Sequence, residues 1–88
     1  MNYLLIRHRV TDFAQWKTAY DAHGASRAQA GLKQVQLLRD AADRNQVVIL
    51  FTADDVDKAK RFSESADLRE AMIKAGVIDK PDVYFLTD

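Results

Sequence analysis

Residues Gln46 to Ala53 read QVVILFTA, and this segment is apolar on both of its sides. Its length and its β-branched and aromatic side chains favour a strand, in which successive side chains point to opposite faces of a sheet. One face then carries Val47, Ile49 and Phe51, and the other carries Val48 and Leu50. An antiparallel sheet that meets water on one side alternates apolar and polar residues, which this strand does not do. We therefore predict that both faces of the sheet are covered.

The remaining strands are predicted on either side of this segment. Residues Lys33 to Asp40 form the preceding strand, and Ala41 to Asn45, which includes Asp43, Arg44 and Asn45, makes the tight polar connection of an antiparallel hairpin. Tyr3 to Val10 and Asp82 to Thr87 are the first and last strands. In the last strand two apolar faces are again present, one with Val83 and Phe85 and the other with Tyr84 and Leu86.

A long amphipathic helix is predicted between the first two strands. Thr11 or Asp12 can cap its N-terminus, and Gly31 ends it as the C′ residue. Its buried stripe follows spacings of three and four and consists of Phe13, Trp16, Tyr20, His23, Arg27 and Ala30. Gly24 interrupts good helix formers, so it either allows the close approach of another group or marks a kink.

Two shorter helices are predicted between the third and last strands. One follows the capping carboxylates Asp54 and Asp55, and the other follows Ser65 or Asp67 and ends at Gly76. Their inner faces are Val56, Ala59 and Phe62 in the first, and Leu68, Ala71, Met72 and Ala75 in the second.

The predicted order of elements is β-α-β-β-α-α-β, within a single domain spanning residues 1–88. This order is typical of a split βαβ arrangement, in which a four-stranded antiparallel sheet carries its helices on one face. The fold class predicted from the sequence is therefore α+β.

The composition excludes several classes of protein. The chain has 13 Lys and Arg, 13 Asp and Glu, two His and no Cys. The balanced charge argues against a nucleic-acid partner, and the absence of Cys argues against disulfides and a Cys/His cage, so no metal site is predicted. The longest apolar run, Val47 to Phe51, is too short to span a membrane, and the N-terminus lacks the order of a signal peptide. We predict a cytoplasmic location and no membrane partner.

A partner subunit is the remaining source of extra stability for so short a chain. We predict a homodimer in which the open sheet face packs against the same face of a second copy, since two-fold dimers are the commonest soluble oligomers. The alternative is a monomer that leaves some apolar side chains of this face exposed.

The stripe on the first helix also predicts a small-molecule pocket between helix and sheet. Trp16 and Tyr20 would form flat apolar walls, His23 and Arg27 would form polar ends, and His8 on the first strand can reach the same cavity. The alternative is that the two aromatic rings are ordinary core, while His23 and Arg27 reach solvent, an acidic neighbour such as Asp21, or a residue of the partner subunit.

Several motifs, spread over nearly the whole chain, resemble one group of small bacterial proteins. They are Arg7-His8-Arg9-Val10, Asp12-Phe13, Trp16-Lys17, Tyr20-Asp21, His23, Arg27, Gly31, Glu64-Ser65, Leu68-Arg69-Glu70-Ala71-Met72 and Ala75-Gly76-Val77. The group is the dimeric α+β barrel superfamily, and the branch that looks closest contains the antibiotic biosynthesis monooxygenase domains. The resemblance implies a ferredoxin-like protomer whose sheet packs against that of its mate to form a barrel.

The same resemblance implies chemistry at a pocket between sheet and helices. Oxygenases of this superfamily rely on an activated substrate to reach O₂, so no cofactor is expected. His23 would then act as the general base and Arg27 would stabilise the resulting anion, while His8, Trp16 and Tyr20 would contact the ligand. Haem-degrading members carry an Asn-x-x-Trp arrangement that is not matched here, since Asn2 and Asn45 are the only Asn residues.

Two functions follow as hypotheses. The first is a cofactor-independent monooxygenase that acts on a small aromatic or polyketide-like molecule. The second is a non-enzymatic dimer that binds a small apolar or aromatic ligand, or that serves a stress or accessory role, since no decisive catalytic group stands out.

Overall fold

The computed structural model describes residues 1–88 and contains four strands and four helices. The strands are β1 (Asn2–Arg9), β2 (Leu32–Arg39), β3 (Gln46–Ala53) and β4 (Asp82–Thr87). The helices are α1 (Phe13–Ala22), α2 (Gly24–Gln29), α3 (Val56–Ser63) and α4 (Ala66–Lys74). None of these helices combines the length and the apolar composition that crossing a membrane requires.

The four strands form one antiparallel sheet in the order β2-β3-β1-β4. At its centre Leu5 of β1 pairs with Leu50 of β3 on one side and with Tyr84 of β4 on the other. All helices lie on one face of the sheet, which confirms the predicted α+β class. Strands β3 and β4 begin and end at the predicted residues, so the strand pattern in the sequence was sufficient to locate them.

The prediction of one long helix between the first two strands was wrong, because this segment forms the two helices α1 and α2. The segment breaks at His23, whose φ of −93° and ψ of 11° lie outside the helical range. The His23 N–H still bonds to the carbonyls of Ala19 and Tyr20 and so closes α1, and α2 then begins at Gly24. Glycine is a poor helix former, so the kink that Gly24 offered as an alternative is the better interpretation.

The helix ends follow the predicted capping chemistry. Asp12, Asp55 and Ser65 each cap a helix by accepting hydrogen bonds from backbone N–H groups of its first turn. After α4, the Val77 N–H bonds to the Met72 carbonyl at 3.0 Å and the Gly76 N–H bonds to the Ile73 carbonyl at 3.1 Å. These two bonds define a Schellman motif, and Gly76 has the positive φ of 90° that the motif requires.

We expect Gly76→Ala to lower the free energy of unfolding by about 2 kcal/mol, because a left-handed conformation is strained for any residue with a Cβ. The added Cβ would also lie 2.7 Å from Thr11 Oγ1. Urea denaturation followed by far-ultraviolet circular dichroism measures the change. Gly24→Ala is the matched control, since its Cβ would meet nothing nearer than the flexible Arg27 guanidinium at 3.6 Å. Equal losses in the two variants would contradict this account of Gly76.

The core lies between the sheet and the helices. Strands β1 and β3 contribute every second residue to it, and the helices contribute mainly Trp16 and small alanines. Its buried members are Leu4, Ile6, Val10, Trp16, Ala30, Leu32, Val47, Ile49, Phe51, Ala53, Ala59 and Ala75. His8 shares the same face of β1 and is the one buried polar residue of the chain.

The opposite sheet face is apolar and open in the single chain. Leu38 is 52% exposed, Tyr84 is 52% exposed and Leu86 is 45% exposed. Val48 and Leu50 share this face of β3, across from Leu38 and Leu5. We call these residues, Leu5, Leu38, Val48, Leu50, Tyr84 and Leu86, the open-face patch. The segment QVVILFTA therefore has two apolar faces, as predicted. One face enters the core, and the other forms part of the open-face patch.

Charged groups close one end of the open-face patch. The Arg7 guanidinium donates to the Asp82 carboxylate at 2.7 Å, to Gln46 Oε1 at 2.6 Å and to the Asp79 carboxylate at 3.2 Å. Asp79 also accepts the Arg9 N–H at 2.8 Å. These bonds attach the segment before β4 to the sheet and give the patch a polar rim.

Candidate functional site

An open pocket with a volume of about 60 Å³ lies between the sheet and the helices. Its lining comes from β1, β3 and all four helices, and it is hydrophobic apart from His8, His23 and Arg27. The lining residues are Ile6, His8, Trp16, Ala19, Tyr20, His23, Arg27, Ile49, Phe51, Phe62, Leu68, Ala71, Met72 and Ala75. All five residues proposed from the sequence as site residues therefore lie around one cavity.

His8 has no hydrogen-bond partner in the chain. It is 3% exposed, and neither Nδ1 nor Nε2 meets a donor or acceptor. Burial lowers the pKa of His8 to about 4, against an opposing effect of the Asp79 carboxylate, so the imidazole is neutral at ordinary pH. An unpaired buried donor or acceptor costs about 1–3 kcal/mol, so these nitrogens are an unusual feature of the core.

Trp16 and Tyr20 form an aromatic stack beside His8. Their ring centroids are 4.8 Å apart at an interplanar angle of 25°, and the Trp16 ring meets the His8 ring edge-on at 5.4 Å. The Tyr20 hydroxyl donates to Gln34 Oε1 at 2.8 Å. Burial raises the pKa of Tyr20, so its hydroxyl stays protonated and engaged with Gln34. Tyr20 is therefore suited to structural support and not to proton transfer.

Arg27 covers the other side of Tyr20. Its guanidinium lies 3.6 Å from the Tyr20 ring centroid, and one N–H donates to the Tyr20 carbonyl at 2.7 Å. Since Trp16 and Arg27 cannot share one face of the ring, both faces of Tyr20 are occupied. Tyr20 thus presents only its edge to the pocket, and not the flat wall that the sequence suggested. Burial lowers the pKa of Arg27, but an arginine keeps its charge in proteins.

His23 lies at the junction of α1 and α2, with 22% of its side chain exposed. Its Nε2 is 3.7 Å from the Asp67 carboxylate, which is too long for a hydrogen bond, and its ring stacks loosely on Phe62 at 6.2 Å. Asp21, the acidic neighbour considered from the sequence, pairs with Lys17 at 2.7 Å instead. The imidazole is therefore held at the edge of the pocket but not fixed by a hydrogen bond.

The sequence did not identify the residues that close the pocket from the other side. Phe62 of α3 and Leu68, Ala71 and Met72 of α4 line the cavity opposite α1. Their spacing predicted buried helix faces, but it did not show that these faces meet the stripe of α1. Gln34 was also missed, because a polar residue in a strand gives no sign that it will hold a tyrosine hydroxyl. No group of three or more His, Asp or Glu side chains is arranged to hold a metal ion.

The fold and the site together define a class of protein, a ferredoxin-like α+β domain with an apolar pocket between its sheet and its helices. Solved structures that share this architecture include several antibiotic biosynthesis monooxygenase domain proteins. The resemblance noted from the sequence is thus confirmed at the level of the fold. No protein-family model matches the chain, and no curated protein sequence matches it.

Three of these structures illustrate the similarity. An inferred antibiotic biosynthesis monooxygenase from Bordetella bronchiseptica has a TM-score of 0.80 and 17% identity, over 99% of this chain and 95% of that one. A variant of SnoaB, a cofactor-independent oxygenase from Streptomyces nogalater, has a TM-score of 0.73 and 18% identity, over 99% and 91%. An uncharacterised NIPSNAP domain protein from Burkholderia xenovorans has a TM-score of 0.69 and 14% identity, over 100% and 94%. At such identities the likeness establishes the fold, and function has to be argued from the site.

Proposed function

We propose that the protein binds a small planar aromatic molecule in this pocket and oxygenates it without a cofactor. The observation that carries the proposal is the lining, which is hydrophobic except for His8, His23 and Arg27. An apolar cavity with a few convergent polar groups is the usual form of a small-molecule site. The fold shared with SnoaB, a cofactor-independent oxygenase, supports the choice of reaction.

The proposed substrate carries a methylene group activated by its aromatic rings and by a conjugated carbonyl, because such a C–H can be deprotonated by a general base. His23 accepts this proton as the general base, and the Arg27 cation stabilises the enolate oxygen of the resulting anion. The anion passes one electron to O₂, and the two radicals combine to form a C–O bond. The peroxide oxygen takes the proton back, and loss of water leaves a carbonyl group. O₂ therefore supplies one oxygen atom to the product and one to water, and no external reductant is needed.

A second candidate is a binding protein without catalysis. The position of His23 favours it, since an efficient base is normally oriented by a hydrogen bond to a third group, and the Asp67 carboxylate is 3.7 Å away. In this case the pocket would hold an aromatic ligand, and neither His23 nor Arg27 would take part in a reaction.

We also propose that two copies associate through the open-face patch. Exposing several large apolar side chains on one continuous surface is uncommon for a monomer and marks an interaction site. A second copy supplies a surface of the same shape and polarity, which a two-fold interface requires. The residues around Arg7 would then form the polar rim that protein interfaces usually have. A cytoplasmic location stays a prediction from the sequence.

The reaction is tested by following O₂ consumption with anthrone, whose methylene lies between two aromatic rings. We expect the wild type to accelerate uptake over buffer, and His23→Gln to lower kcat about 100-fold, as is usual for loss of a general base. Arg27→Gln should lower kcat by a similar factor of about 100, because the anion loses its cation. Arg61→Gln, on the exposed surface of α3, is the matched control and should retain full activity.

The same experiment separates the two candidate functions. Calorimetric titration with anthrone under nitrogen measures binding alone. Binding without any O₂ uptake would support the non-enzymatic candidate. A protein that neither binds anthrone nor consumes O₂ with it would count against an aromatic substrate of this size.

A further inference from the structure

The reaction proposed above makes no use of His8, although it lines the pocket and is the one buried polar residue in the chain. Both of its ring nitrogens lack a partner. Native proteins pair the large majority of buried polar side-chain atoms, and an exception of this kind inside a cavity indicates a partner that the chain does not provide.

Neighbouring groups of the chain are already engaged. The Tyr20 hydroxyl donates to Gln34, and the Arg27 guanidinium is held by the Tyr20 carbonyl and ring. The Trp16 ring meets His8 only edge-on, and contacts of polar hydrogens with aromatic rings are weak. Arg7 and Asp79 influence His8 by charge, but they bond to each other and to other groups. A partner for His8 therefore has to come from the contents of the pocket.

The chemistry of a neutral imidazole limits what that partner can be. One ring nitrogen carries a hydrogen and donates, and the other has a lone pair and accepts. A hydroxyl group can pair with either nitrogen, since it both donates and accepts. A hydrocarbon edge at this position would leave both nitrogens unpaired.

The position of His8 also orients the ligand. His8 contacts Trp16, whereas Arg27 covers the far face of Tyr20, so the two polar groups lie at opposite ends of the aromatic stack. A ligand that spans the pocket then places one polar group near His8 and its acidic or reacting oxygen near Arg27.

We propose that His8 is a specificity-determining residue, which selects hydroxylated aromatic ligands by a hydrogen bond from one of its buried ring nitrogens. This inference rests on the proposed function, because it requires an aromatic ligand in the pocket. It narrows the substrate class from aromatic molecules in general to phenols, with the hydroxyl placed away from the reacting centre.

Calorimetric titration with a matched pair of probes, naphthol and methylnaphthalene, tests the proposal. The two have similar size and differ in the hydroxyl group. We expect the wild type to bind naphthol about tenfold more tightly, the value of one well-formed hydrogen bond to a group that is otherwise unpaired. In His8→Phe the two probes should bind equally within about twofold, while Arg61→Gln, on the exposed surface of α3, should keep the wild-type ratio.

Nitrogen NMR of the unmodified protein provides a readout that does not depend on a variant. Naphthol should shift the His8 ring nitrogen resonances, and methylnaphthalene should leave them unchanged. Equal binding of both probes by the wild type, or a naphthol preference that survives in His8→Phe, would overturn the proposal. Oxygen uptake with anthrone that depends on His23 would still stand in that case, so failure of the ligand preference and failure of the proposed function can be told apart.

Discussion

Leu50→Lys is expected to abolish the proposed association of two copies through the open-face patch. Leu50 lies at the centre of the open-face patch, between Leu5 of β1 and Gln36 of β2. In a two-fold interface each substitution appears twice, and an unpaired buried ammonium group costs several kcal/mol. We expect the dissociation constant to rise about a thousandfold or more, which corresponds to about 4 kcal/mol.

Sedimentation equilibrium at micromolar concentration measures this change. The wild type should have twice the 10.0 kDa mass of one chain, and Leu50→Lys should have the mass of one chain. Ile73→Lys is the matched control, because Ile73 is 68% exposed on α4, away from the open-face patch, and should not affect association. A wild type that sediments as a single chain would contradict the dimer and leave the open-face patch without its proposed occupant.

Acid should destabilise the wild type more than a variant without His8. The pKa of His8 is lowered from 6.5 to about 4 in the folded protein, so the unfolded chain binds its proton more readily between these values. The free energy of unfolding therefore falls as the pH falls through this range, by about 3 kcal/mol for this one group. Above pH 6.5 both states are neutral at His8, and the contribution is constant.

His8→Phe isolates this effect, since it keeps an aromatic ring against Trp16 and removes the titrating group. Urea denaturation of both proteins at neutral pH and near pH 4 gives the difference in unfolding free energy at each pH. Carboxylates that do not interact with His8 contribute equally to both proteins and cancel in that difference, and Asp79 is the one whose pKa the His8 charge lowers. We expect the variant to gain about 3 kcal/mol relative to the wild type on acidification. If the difference in unfolding free energy between the two proteins did not change with pH, the prediction would be contradicted. The folded protein would then accommodate a protonated His8 as well as the unfolded chain does.

The architecture was predictable because its signals are local. Alternation along β3 and β4, the caps at Asp55 and Ser65, and the glycine after α4 depend on neighbouring residues only. The break at His23 is a partial exception, since Gly24 signalled it but a kink and a close approach were equally consistent with the sequence.

The candidate site was predictable only as a set of residues. Spacing on a helix brought Trp16, Tyr20, His23 and Arg27 to one side, and the structure places all of them around the pocket. Their contacts depend on elements that are distant in sequence. The lack of a partner for His8, for example, depends on the groups that β3 and the helices place around it, and the sequence of β1 alone does not show them.

The surroundings of Trp16 give the protein an optical property of its own. Trp16 is the only tryptophan, it is 2% exposed, and its ring contacts His8 and Tyr20 at the pocket. Its fluorescence therefore comes from a single site and responds to the contents of that site. Occupancy of the pocket can be followed from intrinsic emission without any label, since no second indole contributes a background signal.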